Sequence, residues 1–187
     1  MIRWFLRIIL ILSTLAILGL ALFWAFRFEI QYYRNRDIID PAADCYQVPP
    51  RLVASVIWQE TRFNPACRGK AGERGLMQIM PGSAREWAKA EQIENFDPRT
   101  LFDPATNVLA GTWYLGRAIG RWNTKADPFP FALAEYNAGR ANALRWDRNS
   151  IQTTGLFTDV IDYPGTRNYV QNILKTYRSF GRPWERW

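Results

Sequence analysis

Hydrophobic residues along most of this chain recur with the period of an α-helix. Residues 51–61 have apolar side chains three and four positions apart, and Pro50 before them suits the first turn of a helix. A longer segment of the same kind begins at Asp103-Pro104, a pair typical of a helix N-cap and first turn, and extends to about Trp122. Further helices are predicted at 76–79, after residue 83, over 131–136 and after Pro164. No segment alternates apolar and polar residues for long enough to predict a strand, so an all-α domain is expected.

Three segments between these helices lack a clear period. Residues 62–74 contain Pro65, Gly69 and Gly72 and are predicted to form a loop, as are residues 148–163. Residues 28–49 are predicted to be a connector with a first short helix, because Pro41 interrupts any long one.

The first 27 residues have a different character from the rest. Residues 8–26 are nineteen uncharged positions with Arg7 before them and Arg27 after them. A helix of this length spans a hydrocarbon core of roughly 30 Å. A cleaved signal peptide is the alternative, since Gly19 and Ala21 form a small-x-small site. The apolar run continues past that site, which favours a retained transmembrane anchor over residues 1–27.

The expected organisation therefore has four parts. They are an anchor over 1–27, the connector with its short helix over 28–49, a helical domain over 50–180 and a tail over 181–187. Trp184 and Trp187 in the tail either dock on the domain or touch a partner or membrane surface, and the sequence does not choose between these.

Composition limits the chemistry. The chain has no histidine, which excludes Ser-His and Cys-His nucleophile pairs and imidazole zinc sites, and two cysteines are too few for a thiolate zinc site. No metal or organic cofactor is expected, and acid–base work is left to carboxylates, Tyr, Lys or Cys. Outside the cytoplasm Cys45 and Cys67 are a disulfide candidate, and two small buried side chains are the equally weighted alternative.

The positive charge does not discriminate between functions. Three of the 24 basic residues belong to the N-terminal segment, which leaves 21 against 17 acidic residues. This balance suits an anionic partner such as membrane, nucleic acid or cell-wall polymer, or simply a solvated surface.

Three short segments have the residue types of a catalytic site. Glu60 lies in the last turn of an apolar helix, where burial would raise its pKa, as a proton donor at neutral pH requires; an ordinary surface glutamate is the alternative. Residues 75–81 bring Gly75 and Gln78 together. Residues 134–139 place Tyr136 and Asn137 at a helix end among small residues. Taken singly, the second and third segments are explained by packing and helix capping.

The order of these segments is more specific than any one of them. Along the chain come Glu60-Thr61, Phe63-Asn64-Pro65, Gly75-Leu76-Met77-Gln78, Pro81, Asp103-Pro104, Asn107, Gly111, Tyr114-Leu115, Glu135-Tyr136-Asn137-Ala138-Gly139, Thr166-Arg167 and Tyr169-Val170. Over residues 46–180 this series resembles the catalytic domain of the soluble-lytic-transglycosylase family, which cleaves murein.

The resemblance implies a lysozyme-like helical fold and non-hydrolytic cleavage between N-acetylmuramic acid and N-acetylglucosamine. Glu60 would be the single catalytic carboxyl, first acid and then base, producing a 1,6-anhydro end. The implied substrate-binding residues are Thr61, Glu73, Met77, Gln78, Tyr136 and Asn137. The implied partners are peptidoglycan glycan strands, the membrane through the anchor and cell-wall machinery proteins, at the outer face of the inner membrane. Nucleic-acid binding is not expected, because no base-reading module is present.

The chain departs from the family pattern at three positions and adds one acid. Thr61 stands where Ser is usual, Gly69 where many members have Ser, and Gly165 where many have Glu before Thr-Arg. Glu73 lies two residues before Gly75 and is either a second carboxylate that positions water, as in a muramidase, or a structural or binding residue of the loop. A wall-binding scaffold without turnover is the non-enzymatic alternative.

Overall fold

The computed structural model describes residues 2–150 and 155–182, and the regular secondary structure of this part of the chain is helical, as expected. Its α-helices are α1 Ile2–Arg34, α2 Arg36–Cys45, α3 Pro50–Thr61, α4 Pro81–Ala90, α5 Pro104–Arg121, α6 Phe129–Ala138, α7 Arg140–Ser150 and α8 Pro164–Arg178. Two 3-10 helices cover Pro98–Phe102 and Phe157–Val160. In place of strands, the described residues contain two isolated bridges, Arg68 with Arg74 and Arg74 with Ile79.

The core is built around α5, α6 and α8. Helix α6 packs against both α5 and α8, while α3 packs on α8 and α2 on α5. Among the fully buried side chains are Leu52, Ile57, Leu115, Leu133, Trp146 and Ile173. In α5 and α8 the buried residues repeat at helical spacing, which is the reason that the apolar period predicted these helices.

Helix α1 does not end where the predicted anchor ends. It runs without a break from Ile2 to Arg34, so the expected division after residue 27 lies inside a helix. Its first part is exposed, and burial against the domain begins at residue 25 and is complete at Phe28. By length and composition the segment Arg3–Arg34 qualifies as a candidate membrane span, with a mean hydropathy of 2.6.

Two predictions about helix limits were wrong. Pro41 is the sixth of the ten residues of α2, so the helix continues past it with one backbone hydrogen bond fewer while it buries Ile39, Ala42 and Ala43. Residues 140–150, predicted in part as loop, form α7, whose only buried side chains are Ala143 and Trp146. Two apolar anchors in eleven residues are too few for a visible helical period.

Residues 76–79 form a tight turn and not the predicted helix. Gly75 has φ +69° and Gln78 φ +50°, both outside the right-handed helical region. The turn is closed by paired hydrogen bonds, in which the Arg74 amide donates to the Ile79 carbonyl at 3.1 Å and the Ile79 amide donates back at 3.0 Å.

The cysteines match neither expectation from the sequence. Cys45 and Cys67 are both free thiols, Cys45 exposed and Cys67 partly exposed, so they form no disulfide and neither is buried. Of the predicted tail, only Gly181 and Arg182 belong to the part that the structure describes. The alternatives for Trp184 and Trp187 lie outside the described residues.

Candidate active site

A cleft between α3, the 68–80 loop and the end of α6 brings together most of the predicted site. It encloses a cavity of about 210 Å³ lined by Glu60, Gly69, Glu73, Gln78, Met80, Tyr136 and Asn137. Five of the seven predicted site residues therefore share one cleft, although they come from three separate segments. Thr61 and Met77 are not among the lining residues.

Glu60 stands at the C-terminal end of α3. The helix stops at Arg62, which has φ +53° and caps it in the left-handed conformation. The Tyr169 hydroxyl on α8 donates a hydrogen bond to Glu60 Oε1 at 2.7 Å. The carboxyl is thus held in a fixed position by a helix far away in sequence.

Burial raises the pKa of Glu60 to about 7, which confirms the shift expected from the sequence. The hydrogen bond from Tyr169 acts in the opposite direction, because it stabilises the carboxylate, and the negative charge of Glu73 raises the pKa further. A carboxyl with a pKa near 7 is protonated in a large fraction of molecules at neutral pH. It is therefore suited to donate a proton and then to take one back.

Thr61 and Met77 lie beneath the cleft and connect the segments that form it. The buried Thr61 hydroxyl donates to the Leu76 carbonyl at 2.9 Å, which ties α3 to the turn over 75–78. Met77 is completely buried with its side chain against Gly111, and its carbonyl accepts a hydrogen bond from the Tyr136 hydroxyl at 2.8 Å. Both residues thus support the cleft without lining it.

Asn107 on α5 is the support of the turn over 75–78. Its buried amide donates to the Arg74 and Leu101 carbonyls, each at 2.8 Å, and accepts from the Met77 amide at 2.7 Å. Gly75 is required at this contact, because a Cβ there would lie 2.2 Å from the Leu101 carbonyl oxygen and 2.3 Å from Asn107 Nδ2.

The turn presents the amide of Gln78 to the cleft with its oxygen free. Gln78 Nε2 donates to the carbonyls of Gly75 at 2.8 Å and Cys67 at 3.2 Å. The opposite end, Oε1, lies on the side of Gly69. Gln78 Oε1 is therefore available in the cleft as a hydrogen-bond acceptor.

Glu73 enters the cleft because Gly69 leaves space for it. A Cβ at Gly69 would lie 2.1 Å from Glu73 Oε2, so a side chain at 69 and the present position of this carboxylate exclude each other. The loop holds Glu73 there, with the Ala71 amide donating to Oε2 at 3.0 Å and the Gly69 amide to the Glu73 carbonyl at 2.9 Å. The site thus contains two carboxyl groups.

The end of α6 provides the polar wall opposite. The Asn137 Oδ1 accepts a hydrogen bond from the Thr166 hydroxyl at 2.7 Å, which leaves the amide nitrogen as a donor for the cleft. Next to it, the buried Glu135 forms an ion pair with Arg121 and accepts from Trp122 Nε1 at 2.8 Å. These contacts fix α6 against α5 and α8.

Tyr169 is the site residue that the sequence argument missed. Tyr169 belongs to the apolar face of α8 and is buried, but its hydroxyl reaches Glu60. Its place in the Thr166-Arg167-x-Tyr169 element was the one available signal. Within the described ranges there is no group of three or more His, Cys, Asp or Glu side chains that could hold a metal ion.

Comparison with known proteins agrees with this geometry. Residues 37–155 match the family described as Transglycosylase SLT domain. The soluble lytic murein transglycosylase of Escherichia coli (strain K12) is 32% identical over 151 residues, which cover 79% of this chain and 22% of that protein. The membrane-bound lytic murein transglycosylase F of Desulfosudis oleivorans is 34% identical over 109 residues, covering 57% of this chain and 22% of that protein.

A solved structure has the same fold. The 70 kDa soluble lytic transglycosylase of Escherichia coli superposes with a TM-score of 0.69 at 30% identity, over 81% of this chain and 25% of that one. This confirms the predicted lysozyme-like, all-α fold class and the resemblance from which it was expected. The chain spans about a fifth of the length of these two curated relatives.

Proposed function

Since the chain belongs to the Transglycosylase SLT domain family, we propose that it is a peptidoglycan lytic transglycosylase. It cleaves the bond between N-acetylmuramic acid and N-acetylglucosamine and leaves a 1,6-anhydro end. The observation that carries this proposal is the position of Glu60, a half-buried carboxyl with a pKa of about 7, in a cleft lined by polar side chains.

Glu60 acts twice in the proposed reaction. As a carboxylic acid it protonates the leaving glycosidic oxygen, and as a carboxylate it then removes the proton from the C6 hydroxyl of the muramoyl sugar. That hydroxyl closes on C1, so no water is consumed. Tyr169 holds the carboxyl in position for both steps and stabilises its anionic form.

The remaining cleft residues bind the sugar. The free oxygen of Gln78 accepts and the amide of Asn137 donates hydrogen bonds to hydroxyl and acetamido groups, and Glu73 accepts from a further donor. Tyr136 lines the cleft, and its hydroxyl donates a hydrogen bond to the Met77 carbonyl. Thr61 and Met77 contribute to binding by holding the turn over 75–78.

The apolar part of α1 is the proposed membrane anchor. Its exposed face and hydropathy fit a single span, and relatives named as membrane-bound support anchoring. The substrate requires the domain over 50–180 to lie on the outer side of the inner membrane, with glycan strands and cell-wall machinery proteins as partners.

The mass of the products tests the proposed reaction. The full chain in a non-ionic detergent is incubated with purified peptidoglycan, and the released muropeptides are weighed by mass spectrometry. We expect products lighter by one water than those that lysozyme releases from the same material. Release of hydrated products alone, or no release at all, would contradict a lytic transglycosylase.

Hydrolysis by the same cleft is a second candidate, and the position of Glu73 favours it. Two carboxyl groups that share a cleft are the arrangement in which one donates a proton and the other holds the attacking water. Glu73 would hold this water, and the enzyme would then release some hydrated ends as a muramidase does.

Replacing Glu73 separates these two reactions. We expect Glu73→Gln to abolish any hydrated products, because the amide cannot take a proton from water, and to leave the anhydro products as the main release. The ratio of the two product masses is the measurement, and Glu86→Gln, an exposed glutamate on α4, is the control. An unchanged ratio would exclude Glu73 as the residue that activates water.

Replacing Tyr169 tests its role beside Glu60. Tyr169→Phe removes a hydrogen bond that lowers the pKa of Glu60, so we expect the alkaline fall of the pH–rate profile to move to higher pH. The rate at the optimum should fall by roughly tenfold because the carboxyl is no longer held. Tyr177→Phe on the same helix is the matched control. An unshifted profile with an unchanged rate would limit Tyr169 to packing, since phenylalanine keeps the ring.

A further inference from the structure

Helix α1 is fastened to the catalytic domain directly after its apolar segment. Phe28 is completely buried, with its ring edge-on to Trp58 of α3 and to Phe180, each at 5.7 Å between centroids. Glu29 accepts a hydrogen bond from the Gly181 amide at 3.1 Å. Because α1 is continuous and packs on the domain in this way, the orientation of α1 determines the orientation of the domain.

The contacts also give the direction of α3 relative to α1. Residues 27 and 28 lie beside Trp58, near the end of α3. Tyr32, one turn further along α1, packs on Phe180. The guanidinium of Arg51, at the start of α3, lies 4.2 Å from the centre of the same Phe180 ring. Helix α3 therefore runs antiparallel to α1, and its C-terminal end points towards the apolar segment.

Two arginines lie beside the same tryptophan ring at that end of α3. The Arg27 guanidinium lies 5.0 Å from the Trp58 ring centre and 4.8 Å from that of Trp24. The Arg62 guanidinium lies 4.7 Å from the Trp58 ring centre. Among the described residues neither arginine has an acidic partner, although seven other basic side chains do.

The positive charges of Arg27 and Arg62 repel each other. Burial lowers the pKa of Arg62, and the positive charge of Arg27 lowers it further. Two cations held at one aromatic ring without a counter-ion form a site that an anion would stabilise, and guanidinium groups match the geometry of phosphate oxygens.

We propose that Arg27 and Arg62 at Trp58 form a binding site for the phosphate of an anionic phospholipid head group. The proposal rests on the membrane anchoring proposed above. Arg27 is the first charged residue after the nineteen uncharged ones, so it lies at the level of the lipid phosphates when the segment spans a bilayer. Trp24 and Trp58 are side chains that prefer this interface.

This site brings the catalytic end of α3 to the bilayer surface. Glu60 is two residues after Trp58, about 3 Å further along the helix axis. The cleft then lies within about one helix diameter, on the order of 10 Å, of the lipid head groups. The glycan cleaved is thus the part of the wall next to the membrane.

Lipid binding by the full chain tests the site. The protein in non-ionic detergent is titrated with phosphatidylglycerol or phosphatidylcholine, and the lipid-bound fraction is measured by native mass spectrometry. We expect phosphatidylglycerol to bind at least about tenfold more tightly, and the Arg27→Gln, Arg62→Gln double variant to lose this preference. Arg117→Gln is the matched control, since Arg117 also lies over a tryptophan ring, at 4.5 Å from that of Trp113.

Two further experiments show whether the site is specific for lipid phosphate and whether lipid binding is independent of the proposed catalysis. Glu60→Gln should bind phosphatidylglycerol like the unmodified chain, so the lipid result does not depend on the proposed activity. Equal binding of both lipids, or an unchanged preference in the double variant, would overturn the site. Displacement of the lipid by millimolar inorganic phosphate would show a general anion site and overturn the assignment to phospholipid.

Discussion

Glu60→Gln is expected to lower the rate of muropeptide release by about a thousandfold or more. General acid–base catalysis contributes roughly 10²–10⁴ to an enzymatic rate, and here the same carboxyl serves both proton transfers. Glutamine keeps the shape of the side chain and can accept the hydrogen bond from Tyr169. It cannot donate a proton to the leaving oxygen, and therefore the loss is chemical and not structural.

The measurement is the initial rate of release by the full chain in detergent, compared with Glu86→Gln as the matched control. Glu86 is exposed on α4 and pairs with Arg117 on the surface, so its replacement should leave the rate almost unchanged. A Glu60→Gln variant that retains more than about a tenth of the rate would mean that another group supplies the proton.

Thermal unfolding gives an independent check on the state of Glu60. Its pKa is about 7 in the folded protein and near 4.5 when unfolded, so the folded state retains the proton over a range where the unfolded state has lost it. The native protein therefore loses stability as the pH rises through this range. Glutamine does not ionise, and the variant should gain melting temperature relative to the native chain at pH 8 but not at pH 4. Equal differences at both pH values would contradict the raised pKa.

Asn107→Ala is expected to destabilise the fold by about 3 kcal/mol and to inactivate the cleft. The substitution leaves the Arg74 and Leu101 carbonyls and the Met77 amide without their buried partner. Because the bonds to Arg74 and Met77 hold the turn over 75–78 in place, losing them also releases Gln78 from the cleft.

Denaturant unfolding measures this effect, with Asn142→Ala as the control. Asn142 on α7 donates to the Ala138 carbonyl at 2.8 Å at a partly exposed position, so its replacement should cost less than about 1 kcal/mol. Similar losses for the two variants would contradict the role of Asn107 as the support of the turn.

The sequence determined the helices whose buried faces follow a clear period. Helices α3, α5 and α8 were predicted to begin where they are observed to begin, because each starts at a proline and repeats apolar residues at helical spacing. It also indicated a raised pKa for Glu60, because a carboxyl in the last turn of an apolar helix is desolvated if that helix end is buried, but it left an ordinary surface glutamate as the alternative.

Only the tertiary structure decided the parts of the site that depend on contacts between distant segments. Tyr169 reaches Glu60 across 109 positions of the chain through the packing of α3 on α8. Thr61 and Met77 were expected to bind substrate and lie instead behind the cleft. Local periodicity shows which face of an element is apolar, but a hydrogen bond between two elements depends on how they pack together, and that is decided by the assembled core.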